Sequence, residues 1–144
     1  MRLEVFTGVS FLTLDSKNRL FLPPKYRDAT RTYVLTPGFD GCILIYSLDR
    51  WRDVVKKMES ISLKNKNYQR AFLRTFFADA EVVKMDRQGR ILIPQKLKER
   101  FSLKSQVALV GVKDKLELWD RRKWQRYYEA SVKLLNKVKS QLEI

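Results

Sequence analysis

A ten-residue pattern occurs twice in this chain, and any fold the chain adopts must house both copies. Leu14-Asp15-Ser16-Lys17-Asn18-Arg19-Leu20-Phe21-Leu22-Pro23 returns as Met85-Asp86-Arg87-Gln88-Gly89-Arg90-Ile91-Leu92-Ile93-Pro94, at a constant offset of 71. Each copy reads apolar residue, Asp, three turn formers, Arg, three apolar residues, Pro. Asp at the first turn position can bond its own backbone two residues on, and Asn18 or Gly89 can take a positive φ. Two β segments joined by such a turn make a hairpin. The Arg opens the second strand and the Pro ends it, because Pro donates nothing to a ladder. An Asp and an Arg four residues apart can simply pair and close the turn. The duplication fits a functional cassette, and it fits a repeated structural one equally well.

Charge separates the two. The 144 residues carry 30 Lys and Arg against 16 Asp and Glu, a net +14. Up to residue 72 there are 13 basic and 7 acidic residues, and beyond it 17 and 9. An excess of six and then eight is spread over both halves and is not confined to a tail. A folded basic chain of this kind attracts polyanions, nucleic acid first. A thermophile-like surface explains many charges but not so uneven a balance. No apolar run approaches the roughly 20 residues that span a bilayer. The start of the chain lacks the apolar stretch of a secretory signal, so a cytoplasmic protein is expected. The one cysteine, Cys42, cannot form an internal disulfide, and its place at a strand start suits a small buried residue.

Along the chain, Leu3 to Phe6 and Val9 to Leu14 read as short β runs ahead of the first cassette. Pro23-Pro24-Lys25-Tyr26-Arg27 reads as a one-turn helix start. Tyr33 to Thr36 and Cys42 to Tyr46 read as strands, with turns at Pro37-Gly38 and Asp40-Gly41. Ser47 or Asp49 can cap a helix in which Trp51, Val54, Val55, Met58 and Ile61 recur at helical spacing. Leu63 to Asn67 is a polar bridge, and Asn67 is expected to cap a helix that turns Tyr68, Phe72, Leu73 and Phe76 inward. The second half repeats the order. Phe77 matches Phe6, Val82 matches Phe11 and Met85 matches Leu14 at the offset of 71, which drifts to 73 by Trp51 and Trp124. Val107 to Val112 and Leu116 to Trp119 are predicted strands. Asp120 should cap a C-terminal helix with Trp124, Tyr128, Leu135, Val138 and Leu142 on one face, packed on the chain's own body. Two copies with a period near 71 are an internal duplication, not a solenoid. The expected fold class is α+β, with a first module at 1–64 and a second, with linking and C-terminal helices, at 65–144. Four short strands bury little alone, so the modules should pack on one another or interlock strands.

Phe6-Thr7-Gly8, the two cassettes, Leu22-Pro23-Pro24-Lys25-Tyr26-Arg27, Phe77-Ala78 and Ile93-Pro94 together resemble the MraZ family over nearly the whole chain. The resemblance implies two AbrB-like, swapped-hairpin β-barrel modules with flanking helices. It also implies a bacterial transcriptional regulator, working in the cytoplasm at the nucleoid. Such a protein binds direct repeats in double-stranded DNA upstream of the division and cell-wall gene cluster, as a homo-oligomeric ring. Asn18 stands where the family usually has Gly, and Asn tolerates the left-handed region. The doubled Pro23-Pro24 is a second departure, expected to shift the following helix slightly.

In that setting an Arg at a hairpin tip can enter the major groove and contact guanine with two hydrogen bonds. Arg19 and Arg90 are the candidates, Arg19 being favoured by analogy with the family. Lys17, Lys25 and Arg27, with Arg87 and Lys96 in the second module, are candidate phosphate contacts, which set register without reading sequence. Asp15, Asn18, Asp86 and Gly89 are assigned to shaping the turns, since a carboxylate near phosphates is repelled. An enzyme finds no support: there is no His, no Ser or Cys with a nearby base, no Gly-rich phosphate loop and no metal-ligand cluster. No cofactor, metal, membrane or small-molecule substrate is expected. The competing expectation is a basic RNA-binding or ribosome-associated protein, though RNA readers usually expose aromatics, and here Trp51, Phe72, Phe76 and Trp124 fall at core spacing.

Overall fold

A computed structural model describes residues 5–144. Leu3 and Glu4 of the first predicted β run lie outside the described residues. Phe6 of that run forms a single antiparallel bridge to Lys113, and the first strand is β1 (Val9–Thr13). Then come β2 (Arg19–Phe21), a 3-10 turn (Pro24–Tyr26), β3 (Thr32–Pro37), β4 (Ile43–Ser47), α1 (Leu48–Ser60) and α2 (Lys66–Ala78). The second half runs β5 (Glu81–Lys84), β6 (Arg90–Leu92), α3 (Gln95–Arg100), β7 (Gln106–Val112), β8 (Lys115–Asp120) and α4 (Arg121–Val138), closing in a 3-10 turn (Lys139–Gln141).

The ladders form an antiparallel six-stranded sheet, β1-β7-β8-β4-β3-β5, and a separate two-stranded ribbon, β2-β6. These ladders draw no closed barrel around either module among the described residues. The reason is that the two halves exchange strands. β1 pairs with β7 of the second half, Phe11 opposite Ala108, and β5 pairs with β3 of the first half, Val34 opposite Val82. The ribbon also crosses the duplication, with Leu20 opposite Ile91. The only link between the inner hairpins is β4 on β8, through Ile43 to Ile45.

Strand periodicity then sorts two cores. Ile43 and Ile45, Val107 and Leu109, Leu116 and Leu118 point one way, against Leu20, Leu22, Ile91 and Ile93 of the ribbon and Tyr26 and Leu97 of the short helices. Cys42, Leu44, Tyr46, Ala108, Val110 and Trp119 point the other way, towards Trp51, Val54 and Trp124 of α1 and α4. The molecule is therefore layered: ribbon and short helices, sheet, long helices. Burial pushes the Cys42 thiol well above its usual range and the Tyr46 hydroxyl up to about 12, so Cys42 is an inert filler.

Ser47, not Asp49, caps α1, its Oγ accepting from the Arg50 N–H at 3.4 Å. The cap of α2 is Asn65 and not Asn67: its Oδ1 accepts from the Tyr68 N–H at 3.1 Å. That earlier start turns Tyr68 outward, contrary to the expectation above, while Phe76 is buried. Asp120 sits at the N-cap of α4, but its carboxylate accepts from the Lys104 N–H at 3.1 Å and holds the α3–β7 loop instead. Only the first turns of α4 pack on the body, through Trp124 and Tyr127 against Trp119. From Ser131 to Lys137 every residue is exposed.

Gly111 of β7 has no room for a side chain, because a Cβ there would meet the Thr7 amide nitrogen at 2.6 Å and the Phe6 carbonyl carbon at 2.8 Å. Gly111→Ala should therefore destabilise by about 1–3 kcal/mol, read as a lower denaturant midpoint; an unchanged midpoint would show that the β1 segment yields freely. Residues 1–64 expressed alone should give no folded monomer, since β1 loses β7 and β3 loses β5. A monomeric, cooperatively melting fragment would refute strand exchange as the source of order.

Candidate nucleic-acid interface

Each cassette closes on its aspartate in the same way. Asp15 Oδ1 accepts from the Lys17 and Arg19 N–H groups, both at 2.9 Å, and Oδ2 from Arg19 Nε at 2.7 Å. Asp86 Oδ1 accepts from the Gln88 and Arg90 N–H groups, both at 2.9 Å, and Oδ2 from Arg90 Nε at 2.9 Å. Asn18 and Gly89 occupy the left-handed position, at φ 59° and 80°. Three backbone bonds and two side-chain bonds thus define one turn.

The two cassettes are interlocked. The Leu22 N–H donates to the Gly89 carbonyl at 2.8 Å, and the Ile93 N–H to the Asn18 carbonyl at 2.9 Å. Arg19 stands opposite Leu92 and Arg90 opposite Phe21, so the arginines sit at the two ends of the ribbon ladder. Arg90 Nη1 also approaches Asp15 Oδ2 at 3.7 Å. Asp15, Arg19, Asp86 and Arg90 form one neutral cluster on the ribbon side of the sheet. The arginine side chains are 31% and 26% exposed. Their Nε atoms are committed to the aspartates, and the Arg19 guanidinium keeps its two Nη nitrogens for an end-on contact.

The apices of the turns belong to other residues. Lys17 and Arg87 are fully exposed there. Lys25 is exposed beside the Tyr26 ring, 4.9 Å from its centroid. Lys96 pairs with Glu81 at 3.0 Å. Arg27 is half-buried: its Nε donates to the Leu22 carbonyl at 2.8 Å, and its guanidinium lies over the Phe21 ring and against Gly89. Sequence reasoning missed the counterpart of that contact, Lys98, whose Nζ donates to Asn18 Oδ1 at 2.7 Å. Gln95 accepts from Asn18 Nδ2 at 3.0 Å. Each turn is thus clasped by a basic residue of the other half, and the signal was available, because Arg27 and Lys98 stand at the offset of 71. Also missed was Arg31, in the left-handed region like its counterpart Ser102. Its guanidinium donates to the Asp86 carbonyl, and its own carbonyl accepts from the Met85 N–H.

The backbone N–H of Arg19 holds the Asp15 carboxyl below the usual carboxylate range, and that of Arg90 does the same for Asp86. A depressed carboxyl binds its proton less readily folded than unfolded, so stability from these turns is present above about pH 3.9 and fades as pH falls through the folded values. The variant Asp15→Asn/Asp86→Asn should therefore lose less stability than the parent between about pH 5 and about pH 2. Equal slopes in pH-dependent denaturation would remove these carboxylates as the origin.

Rigid, outward-reaching donors held by a fixed turn suit recognition of an acceptor surface rather than bond making. Among the described residues no group of His, Cys, Asp and Glu is arranged to hold a metal ion, and no helix is long and apolar enough to cross a membrane. Comparison with known proteins fits this geometry. The family model for the MraZ protein matches twice, over residues 5–75 and 76–142. A protein of Clostridium acetobutylicum named transcriptional regulator MraZ is 40% identical over 129 residues, covering 89% of this chain and 90% of the relative. Proteins of the same name from Clostridium botulinum and Acetivibrio thermocellus are 42% and 40% identical, covering 89% and 85% of this chain and 90% and 86% of the relatives. With its two matched repeats, its paired Asp–Arg turns and these relatives, the chain belongs to the MraZ family.

Proposed function

We propose that this chain is a DNA-binding transcriptional regulator, which binds direct repeats in the promoter of the division and cell-wall gene cluster as a homo-oligomeric ring in the cytoplasm, at the nucleoid. The observation that carries the reading is the pair of Asp-buttressed arginines on one face of a chain with net charge +14. The names of its relatives support it. In this reading the halves 1–64 and 65–144 are AbrB-like modules joined by strand exchange, each contributing one cassette.

Arg19, and Arg90 beside it, read guanine edges with the nitrogens that the aspartates leave available. Lys17 and Arg87 at the apices, with Lys25, Arg27 and Lys96 around them, take phosphates. Asp15 and Asp86 hold the arginines in one rotamer, so little side-chain entropy is lost on binding. One protomer makes few contacts, and a ring set against several repeats multiplies them through effective concentration.

Arg19→Ala should weaken operator binding by about 1–3 kcal/mol and relax the preference at one base, whereas Lys17→Ala should weaken all sequences alike and flatten the salt dependence. Unchanged affinity of a folded Arg19→Ala protein would leave Arg19 a turn residue alone. Affinity should rise steeply from one repeat to several, with generic RNA a poor competitor at physiological salt. Equal affinity for single and multiple repeats would remove the multivalent mechanism.

A further inference from the structure

The duplication provides a template for a surface that the cassettes do not use. In the first half Trp51 of α1 is covered by α2: Phe76 stacks on it at 5.7 Å between centroids, and Phe77 meets it edge-on at 5.9 Å. Trp124 of α4 is the equivalent ring. Beside it lies an open groove of about 380 Å³ lined by Val9, Phe11, Arg121, Trp124, Gln125 and Tyr128. α2 is the helix that leads into β5, and no described helix leads into β1. The described segment before β1 runs elsewhere, bridging to Lys113 at Phe6 and placing Val5 beside Arg50 and Asp53 of α1. Phe11 and Tyr128 are consequently 54% and 53% exposed.

We propose that this groove accepts a second copy of the chain in a head-to-tail contact, the entering face being Phe39 and the outer flank of α2 around Tyr68. The proposal deepens the ring reading above and rests on it. Phe39 and Tyr68 are 77% and 70% exposed, and Phe39 borders Phe72, Thr75 and Phe76 of α2. In the first half, rings of α2 already fill the equivalent site, so aromatic side chains are the chemistry that fits. The two faces cannot meet within one copy. The Phe39 loop lies against Lys123 of α4 through Gly41, whereas Arg121, Gln125 and Tyr128 line the other flank of that helix. Charge agrees as well. The only charged lining residue, Arg121, lies over Phe11 at 4.6 Å, and Asp40 next to Phe39 brings a carboxylate to it. Copies carrying +14 repel one another, so contact needs such local complementarity around an apolar centre. A contact between two different faces propagates from copy to copy and closes into a ring when the rotation allows.

The test compares the full chain with Tyr128→Glu and Phe39→Ser, both at exposed positions, by sedimentation velocity and native mass spectrometry, with thermal melts confirming the fold; Phe11→Ser replaces Tyr128→Glu if that variant melts early. Each variant alone should dissociate at concentrations at least about tenfold higher than the parent, as expected for loss of an aromatic anchor. Mixed together they should form heterodimers and nothing larger, because one retains the groove and the other the entering ring. Variants that assemble like the parent would overturn the groove and leave the ring reading standing. A mixture without heterodimers would overturn the pairing of these two faces. A monomeric parent would overturn both readings.

Discussion

Neither half of this chain can complete its own sheet, and most of what the molecule does follows from that. β1 lies on β7, β5 on β3 and β2 on β6, so three of the ladders cross the duplication. The outer strands are short, and alone each would bury little. Exchanged, they enclose a core in which Leu20 and Leu22 of one cassette pack with Ile91 and Ile93 of the other. The halves are thermodynamically one unit, and the geometry between the two cassettes is set by buried backbone bonds rather than by a linker.

That geometry governs the electrostatics of the ribbon face. Two arginines at close quarters would repel, and two aspartates in the same place remove the conflict. Asp15 holds Arg19 and lies near Arg90, and Asp86 holds Arg90. The cluster contributes nothing to the net +14, which comes from lysines and arginines around it. Its contribution is orientation: guanidinium groups fixed in advance lose less freedom when they meet a partner. Arg27 on Gly89 and Lys98 on Asn18 couple the cassettes further. A change at either turn is therefore felt by both.

The sheet also keeps surfaces apart. Cassettes and short helices occupy one side, α1, α2 and α4 the other. An assembly contact on the helix side and a nucleic-acid contact on the ribbon side do not compete for residues, and the first can line up several copies of the second. The asymmetry between the halves lies on the helix side alone: α2 covers Trp51, and the groove beside Trp124 stays open.

Much of this was legible before any coordinates. Asp at a turn, a residue able to take positive φ three positions on, and an Arg after it are local chemistry, and local chemistry repeats wherever the pattern repeats. Strand periodicity likewise placed β3, β4, β7 and β8, and Ser47 announced the start of α1. The misreadings also have local causes. Asn65 and Asn67 are equally good caps, and two residues of difference rotate Tyr68 from inside to outside. Asp120 looks like a cap, but a loop amide 16 residues upstream competes for its carboxylate. The sequence alone thus determined the two cassettes, their turns, the elements around them and the basic surface, because each depends on neighbours within a few positions. Only the tertiary structure decided which half each strand joins, how far the arginines are drawn in, and which tryptophan stays uncovered. A duplicated chain offers every strand two chemically similar partners, and the choice between them lies in long-range packing that no short pattern records.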